Sequence, residues 1–101
     1  MKNNVEQLIN DLNLNAPRVT KELIESKISS IEYVTHKTNT NKILRWCIIN
    51  MNNGFSVTGE PSACVSIEND NEEVGKKIAF ENTFDKIWSF EGYLLSSNNV
   101  K

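Results

Sequence analysis

Two arginines, Arg18 and Arg45, are the side chains of this sequence best suited to gripping an anion. A guanidinium offers its N–H groups as a planar fork that meets a phosphate or carboxylate two bonds at a time. Arg18 stands just before an expected helix start, and Arg45 lies in a strand-like run beside Trp46. Lys76 and Lys77 fall in the first turns of a long expected helix, where unpaired backbone N–H groups and the helix dipole also favour phosphate. Asn82 carries an amide that can read a base edge, and Phe55, Trp46 or Trp88 offers a flat face on which a base can stack. Arg18, Arg45, Phe55, Lys76 and Asn82 therefore form the candidate ligand-binding set. Each has a plainer reading: Lys77 pairs with Glu81 one turn on, Lys76 is solvated, and the aromatic residues belong to the core. Only the combination points to a nucleotide.

Catalysis lacks its parts. The one histidine, His36, sits on a strand face with no acid or nucleophile near it in sequence, so an exposed strand histidine is expected. Ser62-Ala63-Cys64 lacks the glycine elbow and the base of a nucleophilic site and reads as a loop. No glycine-rich phosphate cradle is present. The carboxylates Glu72, Glu73, Glu81 and Asp85 are separated by basic residues and lack the pattern of a hard-oxygen metal loop. Cys47 and Cys64 are too far apart for a zinc or redox pair, and both read as buried thiols. The expectation is a protein that is not an enzyme and uses no metal or cofactor.

The elements that must position these residues follow from periodicity. Val5, Leu8, Ile9 and Leu12 share a helical face, followed by an asparagine-rich break. Thr20 is the expected N-cap of a second short helix through Ile28. From Ile31 the period changes from 3.6 to two, which predicts a strand, and residues 42–51 predict another. Asn53-Gly54 predicts a tight hairpin of type I′ into a third strand, because both central positions of that turn need positive φ. Pro61 ends that strand, and the stretch around Cys64 to Ile67 makes a short extended or looped return. Asp70 followed by Glu73 marks the start of a helix over residues 73–95, with Gly92 interrupting or closing it. Its wheel sets Val74, Ile78, Phe80, Phe84, Ile87 and Trp88 on a wide apolar arc, with Lys77, Glu81 and Asp85 running up the middle. Such a mixed face suits a subunit interface better than a private core. The fold class is therefore α+β: short N-terminal helices, a three-stranded antiparallel β-meander and a long C-terminal helix. Residues 1–16 form an arm or short helix, 17–95 a single domain and 96–101 a polar tail.

The 101 residues carry a formal net charge of −2, which makes duplex nucleic acid, with its need for a concentrated positive face, a poor default partner, so none is expected. No apolar run reaches the length of a membrane span and nothing at the N-terminus reads as a signal peptide, so a cytoplasmic location is expected.

Several blocks carry a resemblance. They are Pro17-Arg18-Val19-Thr20, the run from Asn53 through Glu60 with Ser62-Ala63-Cys64-Val65, the run from Gly75 through Asn82, and the run from Lys86 through Leu95. Over about residues 17–95 the chain resembles a family of small phage proteins named after gene-product forty-nine and gene-product sixty-six. That resemblance implies a non-enzymatic accessory protein acting in the host cytoplasm. The chain also looks like the first class of Thoeris anti-defence proteins. These sequester cyclic ADP-ribose isomers, and in some cases cyclic oligonucleotides, without cleaving them, in pockets where the subunits of a dimer or larger ring meet. By position, that likeness implies Arg18 and Asn82 as ligand contacts. Ser96 to Asn99 stand where related sequences often continue with an arginine, a departure that puts a C-terminal phosphate clamp in doubt. The alternative is a protein-interaction module whose long helix grips a host or phage protein.

Overall fold

The computed structural model describes residues 18–64 and 67–99. The first predicted helix and the arm over residues 1–16 lie outside the described residues. The elements are α1 (Lys21–Ser26), β1 (Ile28–Lys37), β2 (Ile43–Met51), β3 (Ser56–Thr58), β4 (Ser62–Cys64), a 3-10 turn (Ile67–Asn69) and α2 (Glu72–Asn99). The class is α+β, with an antiparallel sheet under one long helix. No helix among the described residues is long and apolar enough to cross a membrane.

Thr20 caps α1 as expected, its hydroxyl accepting the N–H of Leu23 at 3.1 Å. The helix is shorter than its sequence pattern, because Ile28 has already entered β1 and pairs with Met51. The β-branched, serine-rich start of that strand favours extended backbone over another helical turn. A bulge between Ile28 and Ser30 then sets the register in which Tyr33 faces Cys47 and Thr35 faces Arg45.

The turn at Asn53-Gly54 makes a hairpin, but it is not type I′. Only Gly54 takes positive φ, at 89°. The Gly54 N–H donates to Met51 O at 2.9 Å and the Met51 N–H to Phe55 O at 2.7 Å, which closes a three-residue loop with glycine in the left-handed position. The turn between β1 and β2 repeats this geometry. Asn41 has φ 65° and donates to Thr38 O at 2.9 Å, and the Thr38 N–H donates to Lys42 O at 2.8 Å. Asparagine is among the few residues with a Cβ that settle there.

The sheet holds one strand more than the expected meander. β3 and β4 both pair with β2 along the edge away from β1, β3 opposite Ile48 to Asn50 and β4 opposite Ile43 to Arg45. Between them residues 59–61 loop away, so near Cys47 that edge of β2 has no strand beside it. The Cys47 carbonyl there accepts two hydroxyls instead, from Thr58 and Thr83, each at 2.9 Å. A buried backbone acceptor without a partner is costly, and these bonds replace the missing ladder.

Thr83 belongs to α2 and is fully buried. It shares its proton between Cys47 O and Ala79 O (3.1 Å), and its oxygen accepts the Gly59 N–H at 2.9 Å. Around it α2 lays the row Gly75, Ala79, Thr83 and Ile87, spaced at i, i+4, onto the buried face of β2, which presents Arg45, Cys47, Ile49 and Met51. Small residues bring the backbones close. A Cβ at Gly59 would stand 2.7 Å from the carbonyl carbon and oxygen of Asn82.

This seam corrects the expected apolar arc. Lys77, Glu81 and Asp85 face outward with Val74 and Ile78, and the buried side is centred on the small-residue row. Of the aromatic residues, Phe84 is buried, Phe80 and Trp88 are partly buried against the core, and Phe90 and Tyr93 are exposed. The aromatic band thus largely serves the chain's own interior. Asn71 rather than Asp70 caps α2, accepting the Val74 N–H at 2.9 Å. The helix also runs straight through Gly92 and on through the stretch expected as a polar tail, to Asn99.

Because α2 lies over β2, β3 and β4, both faces of β1 beyond Ile28 are exposed, including Ile31, Tyr33 and Val34. Cys47 is buried as expected, while Cys64 is half-buried, and neither is joined in a disulfide.

Two substitutions test the docking seam. Gly59→Ala drives a Cβ into the α2 backbone and should destabilise the fold by about 1–3 kcal/mol or more. Gly92→Ala meets nothing within 4 Å and should stabilise it by roughly 0.5–1 kcal/mol. Urea unfolding midpoints moving in opposite directions check both. Thr83→Val keeps the shape but strips the Gly59 N–H of its acceptor and Cys47 of one donor. It should cost on the order of 1–3 kcal/mol by the same measurement.

Candidate functional site

α2 has a concavity near each end, and the predicted ligand-binding residues divide between them. At the N-terminal end, Arg45 lies beneath Gly75, whose missing side chain leaves it room: a Cβ there would stand 2.8 Å from an Arg45 terminal nitrogen. The Arg45 guanidinium is buried and makes two parallel bonds to Asp70, Nη1 to Oδ1 and Nη2 to Oδ2, both at 2.6 Å. Its Nε–H is buried with no hydrogen-bond acceptor among the described residues. These bonds from Arg45 hold the Asp70 carboxyl below its ordinary range, and Asp70 in turn holds the guanidinium more firmly charged. Beside the pair opens a cavity of about 260 Å³ lined also by Ser62, Cys64, Asn71 and Ile78. The fork that sequence places for a ligand is here engaged by the segment leading into α2.

Lys76 lies one residue on, with its ammonium 3.3 Å from Glu72 and 5.3 Å above the ring of Tyr33. Partial burial raises the Tyr33 phenol above its usual value, with Cys47 adding to the effect, and burial likewise pushes up the Cys47 thiol. Asn82 is on the opposite flank, where its amide donates to Glu60 O at 3.1 Å and so fastens the loop between β3 and β4. Arg18 is half-buried just before α1. His36 stands exposed on β1, as expected.

Phe55 is at the other end. It packs edge-on against Phe90, with ring centroids 6.0 Å apart and planes at 75°. Gly75 and Phe90 are fifteen residues apart in α2, roughly 22 Å at 1.5 Å per residue, so Phe55 and Arg45 do not share a pocket within one chain.

A second cavity, of about 380 Å³, opens beside Phe55. Met51, Val57 and Ile87 are the buried residues of its lining, with Phe90 and Leu94 from the last turns of α2. Lys27 and Glu91 form an ion pair at its side, at 2.7 Å. The C-terminal end of α1 is anchored to the hairpin loop by Asn52, whose backbone N–H donates to Lys27 O at 2.8 Å and whose side chain donates to Ser26 O at 3.1 Å. These bonds satisfy carbonyls that the short helix would otherwise leave open. Of this cavity, sequence reasoning singled out only Phe55. Lys27 and Glu91 lie far apart in the chain, and no local pattern signals their pairing.

Among the described residues, no group of three or more His, Cys, Asp and Glu is placed to hold a metal ion.

Comparison with known families then places the chain. It belongs to the Phage protein (N4 Gp49/phage Sf6 gene 66) family, which matches residues 19–99. No curated protein and no solved structure shows significant similarity to it.

The Arg45–Asp70 pair makes a prediction about acid stability. Because the folded Asp70 carboxyl titrates lower than an unfolded aspartate, its contribution is fully present above about pH 4 and is lost as pH falls through the folded value. Asp70→Asn should therefore melt lower than the wild type at pH 7, and the gap should narrow as pH falls below about 4. Melting curves of the two proteins across that range check it.

Proposed function

We propose that this phage-family protein acts by binding, not catalysis, and sequesters a cyclic nucleotide signal of the cyclic ADP-ribose or cyclic oligonucleotide kind without cleaving it. The observation that supports this reading is the division of the candidate contacts. Arg45 and Lys76 flank one end of α2 and Phe55 the other, so a single chain does not bring Arg45 or Lys76 within reach of the Phe55 ring. A site that uses both is completed between copies of the chain. Exposed Val74 and Ile78 at one end of α2 and Phe90, Tyr93 and Leu94 at the other supply apolar surface for such association in a dimer or larger ring.

Protein–protein interaction is the second reading. It is favoured by Tyr93, 77% exposed beside exposed Leu94, since a large aromatic side chain in that position suits an anchor for a host or phage protein.

Thermal melting against a panel of cyclic ADP-ribose isomers and cyclic di- and trinucleotides separates the two. A true ligand at a hundredfold its Kd adds about 2.7 kcal/mol, which for a domain of this size raises Tm on the order of ten degrees. The expected result is one such shift, recovery of the ligand intact after heating, and an assembly larger than one chain in native mass spectrometry. A panel that leaves Tm unmoved, together with one dominant protein captured from host extract, would transfer the assignment to the second reading.

A further inference from the structure

The cavity at the hairpin end of α2 has a composition the division of contacts does not explain. Phe55 and Phe90 leave 56% and 46% of their surfaces exposed, although together they wall a concavity floored by buried Val57 and Ile87. At its side stands the Lys27–Glu91 pair, a rim that is neutral in sum, with the Glu91 side chain only 12% exposed. The pair is not saturated. Lys27 Nζ uses one of its three N–H groups and Glu91 one of its two oxygens. Next to it, Asn53 Oδ1 accepts the Phe55 N–H, so the Asn53 amide N–H groups remain available. The Asn52 amide donates to Ser26, so its oxygen remains available.

Donors and acceptors therefore occur together in the lining of this aromatic-walled cavity. A phosphate is a poor match for it, because the Glu91 carboxylate opposes the charge that Lys27 would attract. A simple apolar side chain would leave the pair's spare valences unmet. A planar ring with a donor and an acceptor side by side on one edge meets both demands: its face lies on Phe90 or Phe55 and its edge bonds the ion pair. We propose that this cavity is a nucleobase subsite, in which Phe90 and Phe55 contact the ring and Glu91 and Lys27 read adjacent donor and acceptor atoms on its edge. The proposal deepens the nucleotide reading above by assigning the base to the hairpin end of α2, away from Arg45.

The probe is free adenosine, titrated into the isotopically labelled full chain and followed by backbone amide shifts. The expected result is saturable perturbation confined to the hairpin around Met51 to Phe55 and to the last turns of α2 around Phe90 to Leu94. N6,N6-dimethyladenosine, which lacks the edge donor, should bind at least tenfold more weakly, and inorganic phosphate should not compete. Phe90 is about half exposed, so Phe90→Ala should fold, and it should weaken adenosine by roughly tenfold or more, with Phe90→Leu only partly restoring affinity. The proposal is overturned by absence of perturbation up to the solubility of adenosine, by shifts clustered instead around Arg45, or by equal binding of the dimethylated nucleoside. A cyclic nucleotide that binds wild type and Phe90→Ala alike overturns this subsite while leaving sequestration standing. Adenosine bound in the cavity by a protein that no cyclic nucleotide stabilises supports the subsite and overturns sequestration.

Discussion

The carbonyl of Cys47 sits where the outer edge of β2 passes from one short partner strand to the next, and the way it is satisfied governs the rest of the molecule. No backbone N–H is offered to it from the loop between β3 and β4, so two hydroxyls take that place, one from Thr58 in the sheet and one from Thr83 in the helix. A hydroxyl reaches only a short distance beyond its own backbone. Thr83 can serve the carbonyl only if α2 lies very close to β2, and the small residues Gly75 and Ala79, with Gly59 opposite, permit that approach. The polar bond and the small-residue seam are one requirement seen from two sides, because removing the space would break the bond and removing the bond would leave a buried acceptor unpaired.

That constraint also decides what is left uncovered. A helix locked over β2 and its two short neighbours cannot shield β1, which stands exposed along nearly its whole length. It also leaves a recess near each end of α2, each bordered by an ion pair. At the N-terminal end a buried guanidinium is matched, bond for bond, by the carboxylate of Asp70. At the C-terminal end a neutral ion pair borders an apolar slot. One fold thus separates Arg45 from Phe55 and Phe90 by about half the length of the helix, roughly 22 Å.

Much of this fold was legible in the residues. The N-cap at Thr20, the strand character of β1 and β2, the hairpin at Asn53-Gly54 and the long final helix all follow from local chemistry, where spacing and turn preference act within a few residues. The errors were also local in origin. Asp70 and Asn71 both have side chains able to cap a helix, and only Asp70's engagement with a strand residue twenty-five positions away left the cap to Asn71. The apolar wheel of α2 counted large side chains, whereas burial followed the row that could come closest to the sheet.

The residues alone told of the short capped helix, the first three strands, the long final helix and the family to which the chain belongs, because these rest on periodicity, turn chemistry and block order carried by neighbouring residues. It took the folded chain to show that Arg45 meets Asp70, that Lys27 meets Glu91, and that Phe55 and Arg45 stand near opposite ends of one helix. Those outcomes depend on how closely two backbones approach and on which distant charge is then within reach, and neither quantity is written in the spacing of residues along a chain.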